Sequence, residues 1–73
     1  MRLTDLDANK TAVIKEIEGG SKVKMRLETM GIRPGVKITK ISSHFWKGPV
    51  TIKVGRAKVA IGHGMAREVI LVK

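Results

Sequence analysis

Apolar residues fall at every second position in two neighbouring stretches of the chain. Val50, Ile52 and Val54 alternate with Thr51 and Lys53; Ala57, Val59 and Ile61 alternate with Lys58 and Ala60. A period of two puts every apolar side chain of a strand on one face. Gly55-Arg56 between the runs suits a two-residue hairpin turn of type II′, with Gly first. That pairing sets Ile52 opposite Val59 and Val50 opposite Ile61 on the inner face, and Lys53 opposite Lys58 on the outer one. Thr11 to Ile17, rich in β-branched residues, predicts an earlier strand. Val36 to Ser43 predicts another, whose apolar parity changes between Ile38 and Ile41, the mark of a bulge or strong bend. Val69 to Val72 reads as the last strand, after a Gly62-His63-Gly64 break and one helical turn over Met65 to Glu68.

The period changes between Gly19 and Gly35. Val23, Leu27 and Met30 fall at i, i+4 and i+7, one face of a helix over about 21–30. Gly19 and Gly20 stop the strand before it, and Ser21 reads as the N-cap. Gly31 supplies a left-handed C′ residue, and Ile32 at C″ folds back on Leu27 in a Schellman ending. Arg33-Pro34-Gly35-Val36 suits a type II turn, with Pro fixing φ and Gly accepting positive φ. Five short strands and one inserted helix predict a mainly β fold, a small closed or half-open barrel. Leu3 and Leu6 plug one end of its core. No linker or internal repeat divides residues 1–73, which read as a single domain.

Composition narrows this further. At 73 residues the core is thin, and with no cysteine there is no disulfide to staple it. Val and Ile contribute sixteen residues against four Leu, a bias toward strands. No apolar run approaches the roughly 20 residues of a membrane-spanning helix, and no signal peptide is legible. A cytoplasmic location is the expectation.

The order of these motifs carries a resemblance. An isoleucine strand ends in Gly19-Gly20; Leu27-x-x-Met30-Gly31-Ile32-x-Pro34-Gly35 follows; then come Gly48-Pro49-Val50, Ile52-x-Val54-Gly55 and Ala66-x-x-Val69. The chain resembles the FeoA family of small cytoplasmic proteins of ferrous iron uptake. The resemblance implies an SH3-like β-barrel with a helix after the first strand. It implies an accessory role on the cytoplasmic GTPase domain of a FeoB-type iron permease, with recruitment to the inner face of the cell membrane. The same fold occurs as a C-terminal domain of iron-dependent repressors, but no helix-turn-helix is present here. The chain departs from the usual family pattern in His44-Phe45-Trp46-Lys47 and in its positive charge.

That charge is large. Fifteen Lys and Arg face six acids, a net +9, and no acid lies between Glu28 and Glu68. The interval holds Arg33, Lys37, Lys40, Lys47, Lys53, Arg56, Lys58 and Arg67. Opposed like charges such as Lys53 and Lys58 are locally unfavourable. The plain reading is a solvated surface. The functional one is a contact face for an acidic protein, an anionic membrane surface or nucleic acid. A nucleic-acid-binding SH3-like barrel is the alternative function, although Phe45 and Trp46 are too few aromatics for a row of stacking platforms. An exposed aromatic beside Lys47 would suit a partner interface. The expected partner-binding residues are therefore Phe45, Trp46, Lys47, Lys53, Arg56 and Lys58.

Catalytic chemistry finds no constellation. There is no cysteine nucleophile, no paired-carboxylate arrangement and no phosphate-cradling loop, so no enzyme, cofactor or small-molecule substrate is expected. Arg33 and Arg56 could act as an arginine finger on a partner GTPase, but nothing sets them apart from surface arginines. His44 and His63 are the only histidines and lie far apart in sequence. The family suggests transition metals, yet these residues do not compose a tight metal site.

Overall fold

The computed structural model describes residues 1–43 and 48–72. The strands are β1 (Thr11–Ile17), β2 (Lys37–Ser43), β3 (Val50–Val54), β4 (Ala57–Ile61) and β5 (Val69–Leu71). They form one antiparallel sheet in the order β4-β3-β2-β1-β5. Helix α1 (Ser21–Thr29) follows β1, helix α2 (His63–Arg67) precedes β5, and a 3₁₀ turn (Leu3–Asp5) opens the chain.

The alternation in the second half folds as it reads. Ile52 pairs with Val59, Val50 with Ile61 and Lys53 with Lys58. Gly55 takes φ +59 at the turn between them. The parity change in β2 is a bulge at Ile41, where the register against β3 slips between Lys40 and Ser42. A second bulge, not evident from the sequence, lies in β1, where the register against β5 slips between Ile14 and Glu16. The bulges bend the sheet. Inward side chains of both edge strands, Ile61 of β4 and Val69 and Leu71 of β5, therefore meet in one core with Ile14, Ile38 and Ile52. Leu3, fully buried, and Leu6, at 8% exposure, close one end of that core.

Helix α1 ends in the Schellman geometry. The Ile32 amide donates to the Leu27 carbonyl and the Gly31 amide to the Glu28 carbonyl, both at 2.9 Å. Gly31 sits at φ +84, and Leu27 and Ile32 are both fully buried. The Val36 amide then closes the turn on the Arg33 carbonyl at 3.2 Å, with Gly35 at φ +89. Two readings need correction. Ser21 is not the N-cap: Gly20 caps the helix in extended backbone, with no side-chain bond, and Ser21 is the first helical residue. Gly62-His63-Gly64 is not a break before a later turn. Gly62 is the N-cap, and α2 begins at His63, its first turn closed by the Ala66 amide on the Gly62 carbonyl at 2.9 Å. A glycine is tolerated near a helix start, so this one did not delay the helix.

Lys40 is the largest departure. Sequence placed it among the solvent-facing basic residues, but it is 3% exposed. It shares the inward parity of Ile38, two residues before it on β2. Its ammonium donates to the carbonyls of Leu3 and Thr4 at 3.3 Å and of Leu6 at 2.6 Å. Three donors meet three acceptors, which satisfies the cation without a carboxylate.

Candidate functional site

Residues directly opposite on antiparallel strands point to the same face, so the register lays out the outer surface of the sheet. One row crosses four strands: Lys58 on β4, Lys53 on β3, Thr39 on β2 and Thr11 on β1. The two threonine hydroxyls hydrogen-bond at 2.8 Å. The neighbouring row begins at the Gly55-Arg56 turn and runs through Lys37 to Val13, which pairs with Lys37. It continues to Val72, whose amide donates to the Val13 carbonyl at 2.8 Å. Lys53, Arg56, Lys58 and Lys37 are all exposed.

Among the described residues no ion pair is made by this strip. Among the described residues the ion pair is Arg2–Glu18 at 2.9 Å, between side chains nearly half exposed. Such an exposed pair contributes little to stability. The glutamates lie elsewhere: Glu16 and Glu28 line a cleft of about 230 Å³ with Lys24 and Pro34, and Glu68 packs beside Gly19. Arg33, one of the two candidate finger arginines, turns its guanidinium onto the Glu28 carbonyl at the end of α1, at 3.4 Å.

The expected partner-binding residues divide. Lys53, Arg56 and Lys58 come together on one hairpin. Phe45, Trp46 and Lys47 lie outside the described residues. Ser43 pairs with Val50, at the opposite end of β3 from Gly55. Four residue steps from Val50 to Val54 span about 13 Å. The Met30–Gly35 turn lies next to the hairpin tip: a Cβ placed on Gly31 would lie 3.5 Å from Val54 Cγ1. Leu27 and Ile32 in that motif are core residues, while Pro34 and Gly35 are exposed.

Sequence reasoning missed an apolar groove at the far end of the same face. Val13 is 37% exposed, Met1 45% and Val72 49%. With Lys15, Ile70 and Leu71 on its walls, the groove is a shallow, half-open depression of about 420 Å³. The signal was present in β1, where Val13 shares the outward parity of Thr11 and Lys15.

No group of three or more His, Cys, Asp or Glu side chains able to hold a metal occurs among the described residues. His63, half-buried at the start of α2, is the histidine among them. No helix among the described residues is long and apolar enough to cross a membrane.

The FeoA domain model matches residues 1–73. The chain belongs to the FeoA domain family. A crystal structure of an iron uptake regulatory protein, FeoA, superposes with a TM-score of 0.90 at 32% identity, covering 97% of this chain and 93% of that one. The zinc-complexed FeoA of Stenotrophomonas maltophilia gives 0.83 at 20% identity over 99% and 89% of the two chains. A manganese-dependent transcriptional repressor gives 0.91 at 15% identity, covering 99% of this chain but 40% of the repressor, a likeness of fold. A search of curated proteins found no match. The five-stranded sheet with its short helix is thus the SH3-like fold of FeoA proteins, as the order of motifs implied. FeoA proteins are linked to ferrous iron transport.

Proposed function

We propose that this FeoA protein is a non-enzymatic accessory factor of ferrous iron uptake. It binds the cytoplasmic GTPase domain of a FeoB-type permease and adjusts the permease's assembly or its GTPase cycle. The unit that does so is the barrel of residues 1–73, working in the cytoplasm and recruited to the inner face of the cell membrane through its partner. The observation that carries this reading is the Lys53–Lys58 pair, set directly opposite with Arg56 at the adjoining turn. Like charges in that position weaken a hairpin. The fold has no use for them there, whereas an acidic partner surface would turn the repulsion into attraction and speed encounter.

The test is binding of the purified permease cytoplasmic domain, followed in real time against salt. Changing Lys53, Arg56 and Lys58 together to Gln should lower the association rate and flatten its salt dependence, with the fold kept. Trp46→Ala should raise the dissociation rate, with circular dichroism recorded alongside. If both variants stay folded and bind like the parent, this surface is not the interface. RNA binding that falls steeply with salt, with no permease binding, would favour the nucleic-acid alternative.

A further inference from the structure

The groove at the end of the basic face has a chemistry of its own. Its walls are Met1, Ile70, Leu71 and Val72 with Lys15, and Val13 lies beside Val72 at its edge. At about 420 Å³ it falls within the usual range of ligand pockets, roughly 300–1,000 Å³. The bulge in β1 helps create it. Lys15 and Glu16 together oppose Ile70, which leaves Lys15 on the groove wall. Lys37 is paired with Val13 and continues the row toward Arg56, so a basic rim borders the apolar floor.

We propose that this groove docks an acidic segment of a partner protein, which inserts one apolar side chain beside Val13 and Val72 and sets carboxylates against Lys15 and Lys37. The proposal rests on the reading that the protein acts by binding a partner, and it names the apolar anchor of that contact. An apolar centre with a charged rim is a common interface plan, and the charge of the rim selects an acidic occupant. A second copy of this chain would bring two lysine-rimmed grooves together in a two-fold contact. Two chains of net +9 make that unfavourable. A bilayer is the poorer fit as well. Interfacial membrane binding is typically made by an amphipathic helix with a wide apolar face, whereas here a few side chains sit on two paired strand ends between lysines.

The test is an NMR titration of the full-length ¹⁵N-labelled protein with the acidic peptide Asp-Glu-Leu-Glu-Asp. Amides of Val13, Lys15, Ile70 and Val72 should shift and saturate below about 1 mM. Replacing the peptide's Leu with Ser, or making Val72→Asp in the protein, should weaken binding at least about tenfold. Lys15→Glu with Lys37→Glu should do the same while both variants keep the parent's spectrum elsewhere. The proposal is overturned if nothing saturates, if the Ser peptide binds equally, or if shifts stay on Lys53, Arg56 and Lys58. It is also overturned if phosphatidylserine vesicles shift the groove amides and the peptide does not, or if self-association alone moves them. A second arm separates this from the broader reading. Permease binding unaffected by Val72→Asp refutes the groove alone; a peptide that binds as expected while the permease domain does not refutes the permease and leaves the groove.

Discussion

The ammonium of Lys40 lies 2.6 Å from the carbonyl oxygen of Leu6, across a sequence separation of 34 residues. With the carbonyls of Leu3 and Thr4, it ends the 3₁₀ turn that closes the core. The backbone reinforces the same junction: the Asn9 amide donates to the Lys40 carbonyl at 2.6 Å, and the Lys40 amide to the Lys10 carbonyl at 2.9 Å. A buried cation thus holds the first ten residues against β2.

Lys40→Met keeps most of the apolar stem and removes the three donors. The carbonyls it leaves sit where water reaches poorly, so the change should destabilise the fold by about 2–4 kcal/mol. Urea unfolding followed by circular dichroism measures this. A loss below about 0.5 kcal/mol would mean that water replaces the ammonium without cost.

Gly31→Val should destabilise by more than about 1 kcal/mol, because a β-branched residue is a poor fit at φ +84. A Cβ there would touch Val54 only at ordinary contact distance, so the cost is conformational rather than steric. Gly31→Asn should therefore cost less than Gly31→Val, since Asn tolerates the left-handed region. Equal losses for the two would point to crowding instead.

Lys58→Glu turns the like-charged pair with Lys53 into an attractive one. It should stabilise the hairpin by about 0.2–1 kcal/mol at low ionic strength, and the gain should shrink as salt screens it. Thermal melts at two salt concentrations check both points. The same variant should bind the permease domain more weakly, so stability and binding move in opposite directions. Parallel movement would remove the reason for assigning Lys58 to an interface.

For metal, isothermal titration of the monomer with zinc or ferrous ion should show no tight stoichiometric site. Two histidines and no cysteine give too few ligands for one. Stoichiometric sub-micromolar binding that disappears on changing His44 or His63 would refute this.

The sequence determined what depends on neighbours in the chain. Strand alternation fixed the β3–β4 register down to Lys53 against Lys58, because a two-residue turn leaves the pairing little freedom. Leu27, Gly31, Ile32, Pro34 and Gly35 fixed the end of α1 and the turn after it, because each backbone requirement there is met within a few residues. The tertiary structure decided what depends on distant partners. Lys40 reads as one more surface lysine until Leu3, Thr4 and Leu6 supply the carbonyls that make its burial possible. Val13 reads as an ordinary strand valine until the β1 bulge and Val72 turn its surroundings into a groove. Local rules assign a residue to a face, but whether that face is covered is decided by segments that arrive from elsewhere in the chain.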